Sequence, residues 1–139
     1  MSFELTTGLL KPRKVTRKLK SFLDEVLDLG DEHELLQAQS SKHRRAAATS
    51  VQDVVLYKKS DGTISCAQIA AHFSVDGAPF SLLQEFSFFR ERRSHGFAEW
   101  NVTEGFDIIS TDEIIDPMVW CECSPGTVRA LVPVHIDLA

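Results

Sequence analysis

The sequence lacks long hydrophobic runs, and no window approaches the roughly 18 consecutive apolar residues that a membrane-spanning helix needs. Residues 1–10 include Glu4 and two threonines and lack the apolar centre of a secretory signal peptide. Three cysteines, Cys66, Cys121 and Cys123, are too few and of the wrong parity for a disulfide framework, so reduced thiols are expected. Together these absences predict an intracellular protein that does not enter a membrane.

Motifs that would support catalysis or metal binding are also missing. No Cys-x-x-Cys occurs, and the zinc-ligand types at Cys66, His72, Cys121 and Cys123 have the wrong spacing for a tetrahedral site. There is no Gly-x-Ser-x-Gly turn for a nucleophile and no glycine-rich phosphate loop. We therefore predict a protein that is not an enzyme and that needs no cofactor or metal.

Charge is distributed unevenly between the two parts of the chain. Residues 1–50 carry 9 Lys and Arg against 7 Asp and Glu, a net charge of +2. Residues 51–139 carry 6 against 13, a net charge of −7. Because nucleic-acid binding depends on basic surface, the second part is a poor match for phosphates and a better match for a basic peptide.

Basic residues are concentrated between residues 11 and 20, with a second basic spot at residues 42–45. This density suits contacts with nucleic-acid phosphates or a nuclear-import signal, and it is equally typical of a solvated tail. If the arm binds nucleic acid, the residues expected to contact phosphates are Lys11, Arg13, Lys14, Arg17, Lys18, Lys20, Arg44 and Arg45.

A short amphipathic helix is predicted to follow this arm. Ser21 suits an N-cap, an apolar face extends from Phe22 to Leu29, and Gly30 suits a left-handed C-terminal residue. The helix either packs on the rest of the fold or docks onto another protein. Residues 31–50 are polar and lack strong periodicity, so they are interpreted as helix or linker, and a domain boundary is placed near residue 50.

After residue 50 the hydrophobic period changes to two, which is typical of β-strands. The strongest pattern, Phe80–Arg90, is interpreted as the central strand of a small sheet. A slip in the alternation between Cys66 and Ile69 predicts a β-bulge near Ala67. Roughly six to eight short strands without alternating helices predict a mainly β fold. We expect a small antiparallel barrel, closed or partly open, over residues 51–139, preceded by the N-terminal helix.

Aromatic residues on these strands are the leading candidates for a binding surface. Several rings beside an acidic group can bind a methylated ammonium through cation–π attraction, although the same residue types at strand positions also fill cores. Both interpretations stay open at this point. The candidate ligand-binding residues are Tyr57, Phe89, Glu99, Trp100 and Trp120.

The run Phe86-Ser-Phe-Phe-Arg-Glu-Arg92 resembles the aromatic-aromatic-Arg strand of bromo-adjacent homology domains, which are small barrels of chromatin proteins. The segment from Phe106 to Cys121 is similar to the part of those domains that leads through a turn into a closing strand, and the resemblance covers roughly residues 51–123. Glu91 stands where that family usually has proline. The run Arg129–His135 also resembles the tails of proteins encoded by fungal transposable elements, which would make this chain an accessory or derived fragment.

Three functions are therefore carried forward from the sequence. The first is a non-enzymatic protein-interaction module that binds a basic or methylated peptide, with chromatin association and a nuclear location implied by the resemblance. The second is a nucleic-acid-binding accessory protein that uses the basic N-terminal arm. The third is a structural subunit that assembles with copies of itself through an exposed strand or the short helix.

Overall fold

A computed structural model of the chain describes residues 8–42, 48–92 and 96–132. These residues are mainly β with one helix, as predicted. The helix, α1 (Arg17–Leu27), is the only α-helix of the described residues, and at 11 residues it is too short to cross a membrane. The twelve strands of the described residues are β1 (Gly8–Leu10), β2 (Arg13–Lys14), β3 (Leu35–Ala38), β4 (Ser40–Lys42), β5 (Thr49–Ser50), β6 (Val54–Lys58), β7 (Ile64–Val75), β8 (Ala78–Arg92), β9 (Phe97–Ser110), β10 (Ile114–Pro117), β11 (Trp120–Ser124) and β12 (Thr127–Leu131).

The main sheet is antiparallel and is built around β8. Its strand order is β10-β6-β7-β8-β9-β12-β11, with β3 paired to β7 and β2 paired to β3. β8 contains the whole of Phe80–Arg90 and hydrogen-bonds along its length to β7 and β9. The prediction of a central strand at this position is therefore confirmed. A second, smaller sheet has the order β1-β4-β5.

The two ends of the main sheet are formed by successive strands of the chain. β10 pairs with β6 at one end, and β11 pairs with β12 at the other. Residues 118–119 connect β10 to β11 and are hydrogen-bonded to both ends of the sheet. Met118 N donates to Val54 O of β6, and Leu131 N of β12 donates to Val119 O. The described sheet is open between β10 and β11, so the antiparallel fold is confirmed and a closed barrel is not.

The hydrophobic core lies on both faces of the main sheet, and β6 is therefore buried on both sides. Val54 and Leu56 pack into a first cluster with Trp100, whereas Val55 and Tyr57 pack into a second cluster. A strand covered on both faces has a continuous apolar run instead of an alternating one, and residues 54–57 have this pattern. Side chains that neighbour each other on β6 therefore lie on opposite sides of the sheet.

α1 begins about one turn earlier than predicted. Thr16 is the N-cap, and its hydroxyl accepts a hydrogen bond from Leu19 N at 3.2 Å, whereas Ser21 lies inside the helix. The C-cap in the left-handed conformation is Asp28, with φ of 54°, instead of Gly30. The earlier start has a physical reason: Leu19 and Leu23 stack one turn apart on the buried face, so Leu19 has to be helical.

α1 packs against the main sheet. Leu19 and Leu23 form a third cluster with Ala71, Phe73 and Leu82 of β7 and β8. Of the two roles considered for the helix, packing on the fold is the one observed. Residues before and after position 50 share this cluster, so the predicted boundary near residue 50 does not separate two packing units.

The polar segment that follows α1 forms strands, contrary to the interpretation as helix or linker. β3 pairs with β7 from Leu35 opposite Val75 to Ala38 opposite His72. β4 pairs with β5, with Ser40 opposite Ser50 and Ser41 opposite Thr49. Sequence patterning failed here because β3 is only four residues long, too short to show a period, and because β4 and β5 consist of polar residues.

The irregular positions of the sheet differ in detail from the prediction. The register shift of β7 lies between Ile69 and Ala71, further along than the bulge expected near Ala67. β9 also runs through Gly105, a residue type that weakens a strand interior. Thr103 stabilises this irregular stretch, because its hydroxyl accepts from Gly105 N at 3.1 Å and donates to Glu85 O at 2.8 Å.

Packing of α1 predicts the effect of two matched substitutions. Leu23→Ala removes a fully buried side chain and should lower the free energy of unfolding by about 2–5 kcal/mol. Val26→Ala, at an exposed position of the same helix, should change it by less than about 0.5 kcal/mol. Chemical denaturation followed by circular dichroism and by tryptophan fluorescence measures both effects. Equal effects of the two substitutions, or a helix signal lost before the fluorescence signal, would contradict the shared core.

Candidate functional site

The four aromatic candidates are not assembled into a cage. Trp100 and Tyr57 are each only 1% exposed and belong to two different core clusters on opposite sides of β6. Phe89 and Trp120 are exposed, on β8 and at the start of β11 respectively. The sequence left open whether these rings fill the core or form a binding surface. Two of them fill the core, and the other two are exposed and available to a partner.

Glu99, predicted to attract a cationic ligand, is instead held between two arginines. Its side chain is 3% exposed, and the Arg90 guanidinium donates through Nε to Glu99 Oε1. Arg129 donates to Oε2 from Nη2 at 3.1 Å, and Cys123 Sγ lies 3.6 Å from the same oxygen. The hydrogen bond from Arg90 is the main cause that lowers the pKa of Glu99, with Arg129 adding to it. This carboxylate is already neutralised and is not free to bind a cationic peptide.

A β-bulge positions this cluster. In β8, Phe88 lies opposite Trp100 and Arg90 lies opposite Glu99, so Phe89 is the extra residue of the bulge. Without the bulge, Phe89 would lie opposite Glu99. On the other side of β9, Arg129 of β12 lies opposite Glu99 in a regular register. The one signal for this bulge in the sequence is the adjacent pair Phe88-Phe89, where the regular alternation of Phe86-Ser87-Phe88 ends, and it was not used.

An apolar groove lies beside this cluster at the β11 end of the sheet. Its volume is about 270 Å³, and Arg129 is the only charged side chain that lines it. Val119 is 72% exposed, and Trp120 and Leu131 are also exposed although they are large and apolar. The lining residues are Phe97, Val119, Trp120, Cys121, Arg129, Ala130 and Leu131. Of these, the sequence analysis had singled out only Trp120 for binding.

The groove runs along an edge strand. Within residues 8–42, 48–92 and 96–132, β11 pairs with β12 only, and all five residues of β11 are exposed. An edge strand presents unpaired N–H and C=O groups that can pair with another chain. The combination of a free edge and a neighbouring apolar groove is the geometry used when an extended segment adds to a sheet.

The basic residues predicted to contact phosphates fall into three groups. Arg44 and Arg45 lie outside the described residues. Lys20 pairs with Asp24 and Asp31 at 2.7 Å and 3.0 Å, so its charge is compensated. The remaining five are exposed and form no ion pair with another described residue; they are Lys11, Arg13, Lys14, Arg17 and Lys18.

The cysteines do not form a metal-binding centre in the described part of the chain. Cys66 is fully buried, and burial raises the pKa of its thiol. Its Sγ lies 3.8 Å from Met118 Sδ in the first core cluster, whereas Cys121 and Cys123 are exposed on β11. Among the described residues no group of three His, Cys, Asp or Glu side chains could hold a metal ion.

A buried polar network around His72 was not predicted. His72 Nδ1 lies 2.8 Å from Ser81 Oγ, which lies 2.9 Å from Thr111 Oγ1, and His72 Nε2 lies 3.1 Å from Thr49 Oγ1. Burial lowers the pKa of His72 to about 4, although a hydrogen bond at Thr49 and the charge of Asp53 act in the opposite direction. All members are buried and satisfied, so the network links β5, β7 and β8 and has no access to a substrate. The position of His72 between Ala71 and Phe73 was the only sequence signal for it.

Comparisons with protein-family models, with curated proteins and with solved structures return no match for this chain. The resemblance to bromo-adjacent homology domains and to transposable-element proteins therefore stays a prediction. What the chain can bind has to be inferred from its own surfaces.

The His72 network predicts how stability changes with pH. Well above pH 6.5, the ordinary pKa of histidine, the imidazole is neutral in the folded and unfolded states and has no effect. As the pH falls toward 4, His72 becomes protonated in the unfolded state but stays largely neutral in the folded state. The free energy of unfolding should therefore fall, by about 3 kcal/mol at pH 4. Denaturation midpoints measured across this range for the wild type and for His72→Gln isolate the effect. Parallel pH profiles for the two proteins would contradict a neutral buried imidazole.

Proposed function

We propose that this chain is a non-enzymatic protein-interaction module that binds an extended segment of another protein along β11, with an apolar side chain of that segment in the neighbouring groove. The observation that carries this proposal is the exposure of Val119, Trp120 and Leu131 beside an edge strand. Large apolar residues exposed together, and not scattered singly, are typical of interaction surfaces. Trp in particular is enriched among residues that dominate binding energy.

The chemistry of the groove favours protein over nucleic acid as its occupant. Its lining residues are uncharged apart from Arg129, so the groove offers a single cation, where nucleic-acid binding needs several. Nucleic-acid affinity comes largely from phosphate contacts, which this lining does not supply. An extended peptide, in contrast, can gain backbone hydrogen bonds from β11 and apolar contact from Trp120.

A basic or methylated peptide was the partner expected from the sequence. The basic peptide was expected from the net charge of −7 of residues 51–139, and the methylated group was expected from an aromatic cage beside a free carboxylate. Trp100 and Tyr57 are buried and Glu99 is paired, so these residues do not provide that cage. The protein-interaction role is therefore proposed without this partner chemistry. Chromatin association and a nuclear location stay predictions.

A second copy of this chain is the other occupant to consider for the same edge. A symmetric antiparallel pairing of two β11 strands centred on Glu122 would bring the two Glu122 carboxylates together, which is destabilising. We therefore favour a different protein. Sedimentation equilibrium provides the check, since a dimer that dissociates on Trp120→Ala would replace this proposal by self-assembly.

Peptide selection tests the proposed function. Peptides selected from a random library on the whole chain should carry an apolar anchor residue, and Trp120→Ala should weaken their binding by about 30-fold, the loss typical of a central tryptophan. Val26→Ala, which removes an exposed apolar side chain elsewhere, should leave the affinity unchanged. Calorimetric titration measures both. Recovery of no binding peptide, or equal binding to wild type and Trp120→Ala, would overturn the proposal.

A second candidate function is binding of nucleic acid through the basic residues of β2 and α1. It is favoured by the five exposed cations between Lys11 and Lys18, which form no ion pair with another described residue. These residues are held by an ordered strand and helix, since β2 pairs with β3 and Thr16 N donates to Gln37 Oε1 at 2.6 Å. Their charge is thus concentrated on one part of the fold, while the chain as a whole has a net charge of −5.

Salt dependence tests this second candidate. If all five cations contact phosphates, the affinity for a short DNA duplex should fall with a slope of about −4.5 in log K against log salt concentration. Lys11→Ala/Lys14→Ala/Lys18→Ala should reduce both affinity and slope, whereas Lys58→Ala/Lys59→Ala, on the β6–β7 turn, should reduce the slope far less. Fluorescence anisotropy with a labelled duplex measures both. Affinity that does not change with salt would exclude nucleic-acid binding by this surface.

A further inference from the structure

The cluster of Arg90, Glu99 and Arg129 combines two cations with one anion. Glu99 is buried, but the side chains of Arg90 and Arg129 are 47% and 43% exposed. Because the carboxylate neutralises only one of the guanidinium groups, the cluster has a local charge of +1. This is opposite in sign to the net charge of −7 carried by residues 51–139.

Both guanidinium groups are fixed in position before any ligand arrives. The guanidinium carbon of Arg129 lies 4.5 Å from the centre of the Phe97 ring, and that of Arg90 lies 5.0 Å from the centre of the Phe89 ring. Each arginine is therefore held by an aromatic face and by Glu99. Side chains that are already ordered lose less entropy on binding, so such a pair is a better receptor than two free surface arginines.

The hydrogen bonds to Glu99 do not use all the donors of this pair. Arg90 donates from Nε, and Arg129 donates from Nε at 3.4 Å and from Nη2 at 3.1 Å. Both Nη atoms of Arg90 and Nη1 of Arg129 have no partner among the described residues. Unused donors on half-exposed guanidinium groups suit an acceptor with two oxygens and a negative charge.

We propose that Arg90 and Arg129 form a carboxylate receptor for the partner segment, placed so that an acidic group is bound next to the apolar side chain in the groove. This inference rests on the proposed function, since Arg129 and Phe97 also line the groove beside Trp120. The partner is therefore an extended segment with an apolar residue and an Asp, a Glu or a C-terminal carboxylate close to it. A carboxylate is favoured over a phosphate because a single negative charge balances the local +1, whereas a phosphate monoester carries about −1.5 to −2 at neutral pH.

Two small probes that differ only in charge test the receptor on the whole chain. N-acetyl-leucine has an apolar side chain and a carboxylate, and N-acetyl-leucine amide has the same side chain without the charge. In NMR titrations both probes should shift the indole N–H of Trp120. The acid alone should also shift the Nε–H signals of Arg90 and Arg129, and it should bind about tenfold more tightly. Arg90→Gln should reduce the affinity for the acid to that of the amide.

Controls separate local contact from net charge and separate this inference from the proposed function. Lys58→Gln removes one exposed cation of β6 and should leave the preference for the acid unchanged. Equal affinity for acid and amide, with Trp120 shifted by both, would overturn the receptor and leave the groove intact. Failure of both probes to shift Trp120 would overturn the groove and the receptor together. Inorganic phosphate that competes with the acid at equal concentration would overturn the assignment to a carboxylate. If Arg90→Gln does not fold, the comparison of the two probes on the wild type still decides.

Discussion

The buried carboxylate of Glu99 is the constraint on which this end of the sheet depends. An ionised carboxylate inside a fold is costly unless charged donors reach it, and removing a partner from such a group is strongly destabilising. The two donors come from different strands, Arg90 on β8 and Arg129 on β12. These strands therefore have to lie on either side of β9, and β8 needs its bulge at Phe89 to bring an arginine, and not a phenylalanine, opposite the carboxylate.

The same cluster connects the core to the surface on which the proposed function depends. On one face of β9, Trp100 fills the first core cluster; on the other, Glu99 supports two arginines that remain half exposed. Arg129 belongs both to the cluster and to the apolar groove, so the charged and the apolar parts of the surface are physically continuous. A surface of this kind can select a partner by charge as well as by hydrophobic contact.

The sequence predicted those parts of the fold where local pattern and tertiary packing agree. Regular alternation placed Phe80–Arg90 in the centre of the sheet, and the apolar face predicted for the helix included Leu23, which is buried against the sheet. The strands between residues 35 and 50 were missed, because β3 is too short to show a period and pairs non-locally with β7, while β4 and β5 consist of polar residues. The start of α1 was predicted too late in the chain, because Thr16 and Ser21 are both good N-caps and only the burial of Leu19 distinguishes them.

The binding site was predicted less well than the fold, because the face on which a side chain lies depends on the register between strands. Alternation assigns a residue to one face of a strand, but a single extra residue reverses every assignment beyond it. Trp100 and Trp120 have similar local sequence signals, and only the sheet order makes one a core residue and the other an edge residue. Glu99 was predicted to bind a ligand, whereas it pairs with Arg90 and Arg129. Arg129 is distant in sequence and comes opposite Glu99 only through the β9–β12 pairing.

The most direct test of this account is the titration of the Glu99 carboxyl group, followed by carbon-13 NMR of its side chain as a function of pH. The account requires an ionised carboxylate, so the pKa of Glu99 should lie below its ordinary value, and Arg90→Gln should raise it. A pKa at or above the ordinary value in the wild type would mean that Glu99 is not held by the arginines in the way described. The two guanidinium groups would then not be held in position by the carboxylate, and the receptor inferred from that arrangement would have no basis.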